Sequence, residues 1–223
     1  MKRGVASGWA AGVILAGLAV LGIAEEPTPS PSPTPKETPA AVIPSRPADV
    51  QPLSVGEMLP DATVTDSEGQ EVRLRSLLGT DKLVLVFYRG GWCPYCNSQL
   101  AQLRTIDRQV AGRGARLIGI SMDRPELLAR YSMDKAIPFP LYSDSKADTI
   151  RAFGLAYRVP DEEVARLKTF GVDLEATSGA NHHLLPAPAV YVMGTDGKVL
   201  FRYYSADSRT RLEPQELLKA LDK

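Results

Sequence analysis

Residues 83–100 read LVLVFYRGGWCPYCNSQL, and the order of chemistries in that stretch decides the fold. The run LVLVFY at 83–88 is continuously apolar and aromatic, the pattern of a strand covered on both faces. A short loop then delivers Cys93 and Cys96, the two cysteines of the chain. Beyond them Leu100, Leu103, Ile106 and Val110 recur at helical spacing, and Gly112 and Gly114 end the helix. The cysteines therefore sit where a buried strand gives way to a helix. At such a start the first amide N–H groups lack helical partners and the macrodipole is positive, which stabilises a thiolate.

Thiolates rather than thiols attack disulfides and peroxides, and paired cysteines at helix starts have pKa values of about 3.5 to 7.5. Cys93 is the expected nucleophile of dithiol chemistry. Cys96, three residues on, returns to the same side of the first turn and can attack a mixed disulfide on Cys93. Pro94 suits the first helical turn, where its missing N–H costs nothing. A purely structural disulfide across two intervening residues would remove little unfolded-chain entropy. Redox use is therefore the favoured reading, beside a structural clip and a metal site.

Working outward, residues 62–66 (ATVTD) and 71–74 (EVRL) flank a turn and predict a hairpin. Residues 115–121 (ARLIGIS) predict a second buried strand, 124–135 a helix, 139–142 a short strand and 146–153 a helix. Residues 161–170 predict a further helix and 171–186 a loop. Residues 189–193 and 199–204 flank Asp196-Gly197, a hairpin signal, and 214–221 close the chain as a helix. Strands alternating with helices before a terminal hairpin imply an α/β domain, a mixed central sheet with helices on both faces.

The 223 residues carry 26 basic and 26 acidic side chains, so no global field favours nucleic acid as a partner. Lys2 and Arg3 precede an uncharged apolar stretch ending in Gly22-Ile23-Ala24, small residues at the positions a signal peptidase reads. Residues 1–24 are thus an export signal or, with 5–24 spanning the bilayer, a retained membrane anchor. Both readings place the remainder outside the cytoplasm, in the periplasm or its equivalent. Residues 25–51 alternate proline with Ser, Thr and charge and read as a disordered spacer, leaving 52–223 as the folded domain.

The segment WCPYC resembles a thioredoxin-type active site with the spelling seen in glutaredoxins. The surrounding sequence resembles the alkyl hydroperoxide reductase and thiol-specific antioxidant group, the peroxiredoxins. That resemblance runs from about Pro52 to Lys223 through LVLVFYRGGWCPYC, LIGISMDRPE, IPFPLYSD and PAVYVMGTDGKVLFRY. It implies a thioredoxin-like fold, and it is to the branch carrying Cys-x-x-Cys, in which the second cysteine, Cys96 here, occupies the peroxidatic position. The family's Pro-x-x-x-Thr-x-x-Cys motif has Arg89 in place of its proline and Cys93 in place of its threonine, and its late arginine aligns with Pro188. The resemblance to thioredoxins further implies a cis-proline at Pro188 that, with Ala187, offers backbone to a substrate segment.

Other residues carry weaker signals. Trp92 resembles the thioredoxin tryptophan and either shapes the substrate surface or packs; Arg89 either lowers a cysteine pKa or is simply solvated; Tyr95 tunes exposure. Asp123 and Asp144 follow strand ends as proton acceptors or as caps. Either loop histidine, His182 or His183, would with both cysteines make a copper or zinc module. The expected function is a thiol–disulfide oxidoreductase cycling Cys93 and Cys96 against protein disulfides or thiols with a redox partner protein and no cofactor. The alternative enzyme is a thiol peroxidase in which Cys96 meets peroxide.

Overall fold

The computed structural model describes residues 42–223; the leader at 1–24 and most of the spacer lie outside the described residues. Among the described residues no helix is long and apolar enough to cross a membrane. The elements in chain order are β1 (Thr63–Thr65), β2 (Glu71–Arg73), β3 (Lys82–Phe87), α1 (Pro94–Ala111), β4 (Ala115–Ser121), α2 (Pro125–Lys135), β5 (Leu141–Ser143) and α3 (Asp148–Ala152). After these come β6 (Ala156–Arg158), α4 (Asp161–Thr169), α5 (Leu174–Ser178), β7 (Leu184–Pro186), β8 (Ala189–Met193), β9 (Val199–Tyr204) and α6 (Pro214–Leu221).

Seven strands form one mixed sheet in the order β2-β1-β5-β4-β3-β8-β9. β3 pairs in parallel with β4 from Lys82↔Ala115 to Phe87↔Ile120 and antiparallel with β8, so the apolar run becomes the sheet's interior strand. Strand pleating sends alternate residues to opposite faces. Leu83, Leu85 and Phe87 join Ile150 and Phe153 of the α3 region on one side. Val84, Val86 and Tyr88 join Leu100, Leu103 and Val110 of α1 and Leu217 and Leu221 of α6 on the other. An apolar strand without alternation is thus explained by two cores rather than one, as expected for a thioredoxin-like α/β domain.

Several boundaries differ from the sequence reading. The strand placed at 139–142 is β5, because Pro138 and Pro140 have no N–H to give a ladder. The helix placed at 146–153 shortens to α3, whose first amides are capped from outside: the Asp144 carboxylate accepts from Thr149 (3.0 Å) and Ile150 (2.8 Å). The loop at 171–186 holds α5, capped by Asp173 accepting from Glu175 and Ala176, and β7, which pairs with β6 in a separate two-stranded sheet. The domain also begins earlier than Pro52. Ile43 packs on the core, Val50 is buried, and the Pro44 carbonyl accepts from the Arg158 amide at 2.8 Å.

That early segment seats on the end of α3, where the Leu53 amide donates to the Phe153 carbonyl. Gly154, at φ +64°, has no room for a side chain: a Cβ there would overlap the Gln51 carbonyl. Gly154→Ala is expected to cost about 2 kcal/mol or more from left-handed backbone and backbone overlap together. A urea midpoint shifted down with unchanged slope is the expected result. A midpoint equal to wild type would contradict the close seating of residues 51–53.

Candidate active site

β3 ends at Phe87, and the chain needs only a short loop to begin α1 from the same edge. A turn closed by the Cys93 amide donating to the Gly90 carbonyl (3.1 Å) sets Cys93 as the residue before the helix, with φ −88° and ψ 116°. Pro94 follows as the first helical residue, as its fixed φ and missing donor suit. The Asn97 amide donates to the Cys93 carbonyl at 3.0 Å, which starts the helical ladder.

The glycines make the loop's close approaches possible. A Cβ on Gly90 would lie 2.7 Å from Asp123 Oδ1 and against the Trp92 indole nitrogen, and one on Gly91 would lie 2.8 Å from the Tyr131 ring. The Gly91 amide donates to Asp123 Oδ2 at 2.6 Å, tying the loop to the end of β4. Asp123 is buried, and burial pushes its carboxyl up to about 6 against the help of that amide. On the far side, the Tyr131 hydroxyl of α2 donates to Asn97 Oδ1 (3.0 Å) in α1.

Cys93 and Cys96 are free thiols, 1 % and 0 % exposed. Cys93 is held at about 6 from an ordinary 9.0. The thiol of Cys96 directed at it is the largest influence; burial opposes the shift, and the Cys96 amide, Arg89 and Arg211 reinforce it. Cys96 moves the other way. Burial, then the neighbouring Cys93 sulfur, push its thiol well above the ordinary value, with Arg211 opposing. The sulfurs thus share one negative charge, resting on Cys93.

Two guanidinium groups flank the pair. Arg89 lies over the Trp92 ring, 4.8 Å from its centroid, and its charge favours the Cys93 thiolate. Arg89 and Trp92 therefore act on the site together rather than as isolated surface groups. Arg211, in the loop between β9 and α6, donates from Nη2 to Cys96 Sγ at 3.5 Å and from Nη1 to the Thr210 carbonyl at 2.9 Å. Sequence reading missed Arg211 altogether. It lies 115 residues from Cys96, and no local pattern signals it. Pro94 and Tyr95 remain exposed at the helix start, Tyr95 at 47 %.

Pro188 comes to the same edge, since Phe87 pairs with Ala189 where β3 meets β8. Two backbone groups of the expected substrate-facing pair are already hydrogen-bonded within the fold. The Ala187 amide donates to the Leu155 carbonyl (2.9 Å) and the Pro188 carbonyl accepts from Ser205 (3.0 Å), both residues being buried. Those groups complete the fold's own pairing and are not free for a substrate strand.

The histidines are likewise committed elsewhere. His182 bonds through Nε2 to the Ser145 carbonyl (2.8 Å) and accepts the Leu184 amide at Nδ1 (2.9 Å), while His183 meets Glu175 at 2.9 Å. With both ring nitrogens used, His182 has no lone pair left for a metal. Among the described residues no three of His, Cys, Asp and Glu gather as a metal site, and the copper or zinc reading has no geometric support. Asp144 caps α3, as described, rather than serving the cysteines.

Alkylation of the reduced protein with iodoacetamide is expected to accelerate as pH rises through about 6 and then level, with the label on Cys93. A midpoint at the ordinary thiol value, or labelling of Cys96 first, would contradict the shared charge.

Comparison with known proteins agrees with this geometry. A profile described as the AhpC/TSA family matches residues 55–202. Peroxiredoxin Bcp of Escherichia coli is 29% identical over 106 residues, 48% of this chain and 67% of that protein. Among solved structures, peroxidoxin BcpB from Mycobacterium tuberculosis superposes with a TM-score of 0.59 at 24% identity, covering 76% of this chain and 97% of that one. Reduced Prx3 from Vibrio vulnificus, solved in complex with hydrogen peroxide, superposes at 0.63 with 17% identity, covering 76% and 99%. At these identities the superpositions show the fold, and the profile match over most of the folded domain shows the lineage: the chain belongs to the AhpC/TSA family.

Proposed function

We infer that the protein is a thiol peroxidase that reduces a peroxide at Cys96 and closes a Cys93–Cys96 disulfide. The observation that carries this reading is family membership combined with a buried two-sulfur site; the sequence resemblance, which implies the peroxidatic position for Cys96, supports the choice of sulfur. It moves peroxide reduction ahead of the protein thiol–disulfide exchange that the Cys-x-x-Cys spelling alone favours.

The shared charge supplies a route. As the Cys96 sulfur attacks the terminal peroxide oxygen, its proton passes to the Cys93 thiolate, so Cys93 acts as general base in the position where the family motif carries threonine. An S–O bond forms, the O–O bond breaks, and the sulfur is oxidised to sulfenic acid by two electrons that reduce the peroxide. The proton held by Cys93 goes to the departing alkoxide or hydroxide. The restored Cys93 thiolate then attacks the sulfenic sulfur and expels hydroxide, giving the disulfide. A donor thiol or dithiol protein reverses the last bond by exchange. The exposed helix start at Pro94 and Tyr95 is the accessible face for that donor. The basic start and apolar run of residues 2–24 support an extracytoplasmic setting for this cycle.

In Cys93→Ser, one equivalent of hydrogen peroxide should be consumed and the reaction should stop with a dimedone-reactive sulfenic acid on Cys96. Its rate should rise only at higher pH than wild type, because burial holds Cys96 protonated and the neighbouring base is gone. Cys96→Ser should fall to the uncatalysed level. A sulfenic acid on Cys93 in Cys96→Ser, with none on Cys96 in Cys93→Ser, would overturn the assignment of roles.

A further inference from the structure

Arg89 stands where the family motif carries a proline, so its side chain is no part of the machinery that motif describes. Its guanidinium lies over the Trp92 ring, 4.8 Å from the centroid, which holds it in place. Nε is buried with no partner among the described residues; the two terminal nitrogens, also without a protein acceptor there, are not buried. The carboxylate on that side, Glu163 of α4, is already gripped on both oxygens by Arg166 at 2.7 Å, and Arg166 rather than Arg89 is the main reason its carboxyl stays low. Arg89 thus presents a planar two-pronged edge, of the kind that fits the two oxygens of a carboxylate, beside Cys93. The charge balance around that edge changes with the redox state. In the reduced protein the Cys93 thiolate is a countercharge for Arg89. In the Cys93–Cys96 disulfide neither sulfur is charged, and the guanidinium faces the pair uncompensated. An anion is therefore drawn in most strongly when the donor has to bind, and the thiolate that returns on reduction repels it.

We propose that Arg89 is a specificity-determining residue that receives the carboxylate of a small thiol donor and so directs the donor's sulfur to Cys93. The inference rests on the peroxidase reading above for its place in the cycle and names the chemical class of the reductant. The donor's size follows from burial: with the two sulfurs 1 % and 0 % exposed, a short thiol reaches them more readily than a cysteine fixed on a folded protein. The donor thiolate bonds to Cys93 Sγ and the disulfide breaks. Cys96 leaves with the electron pair and takes the proton the donor gave up, since burial holds that sulfur as a thiol. A second donor thiolate attacks the donor's sulfur in the mixed disulfide and releases the Cys93 thiolate. Two donor thiols become one disulfide, and its two electrons reduce the protein's bond.

The test uses the full chain, oxidised to the disulfide with diamide rather than peroxide, and three thiols of one size: 3-mercaptopropionate, 2-mercaptoethanol and cysteamine. Each rate of disulfide loss is divided by that of the same thiol with hydroxyethyl disulfide, which cancels the thiol's own nucleophilicity. Wild type is expected to prefer 3-mercaptopropionate over 2-mercaptoethanol by about tenfold and to place cysteamine last. Arg89→Met is expected to bring the three to within about twofold of one another, because any change it makes in the Cys93 sulfur itself scales all donors alike. Arg89→Lys keeps the cation without the planar edge and is expected to retain a preference of about threefold, which a misfolded variant would not show. No carboxylate preference in wild type, or the full preference surviving in Arg89→Met, would overturn the proposal and leave the peroxidase reading standing. The predicted preference in a wild-type protein whose reduced form is inert to hydrogen peroxide would sink the peroxidase reading and support the donor site.

Discussion

Two sulfurs, each almost wholly buried, stand at the opening turn of α1 with room for one negative charge between them. Two thiolates at bonding reach in a poorly solvated site repel too strongly to coexist, while one is stabilised by the other's S–H, by an orphan helix amide and by two flanking guanidinium groups. That constraint divides the labour. The ionised member is Cys93, so Cys96 has a base beside it, and whichever sulfur is oxidised finds the other ready to close the bond. Burial drives the rise at Cys96 and opposes the fall at Cys93, which the Cys96 thiol directed at it carries first.

The scaffold exists to hold that arrangement still. β3 is walled by two cores, so the loop that leaves it starts from a fixed edge, and α1 is pinned through Leu100, Leu103 and Val110. Gly90 lets Trp92 and Asp123 close over the loop, Gly91 makes room for Tyr131, and the bond from the Gly91 amide to Asp123 fastens the loop to β4. The Ser205 amide donating to the Pro188 carbonyl fixes the start of β8 at the same edge. Positioning by rigid elements rather than by long loops matters because the reacting sulfurs tolerate little misplacement.

What was legible in the sequence follows physical range. The apolar run of β3, the periodic face of α1 and the Asp196-Gly197 hairpin are local signals, and β4, β8, β9 and α6 fall where pattern alone places them. The cysteine pair was legible for the same reason, since strand, loop and the first turns of the helix lie within eighteen residues of sequence. The failures are short or distant. α5 has five residues and shows itself only through its Asp173 cap, and β6 and β7 are three-residue strands whose partners are each other. Composition assigned residues 43–51 to a spacer, although Ile43 and Val50 are the apolar residues that seat them on the core. Arg211 carries no pattern at all, because what gives it meaning is a contact across 115 residues.

The shared charge can be counted directly. Thiolate absorbance followed through a pH titration of the reduced wild-type protein should show one thiolate per chain appearing around pH 6, with the second sulfur silent until well above the ordinary thiol range. Two thiolates rising together, or none before the ordinary thiol value of 9.0, would contradict the account.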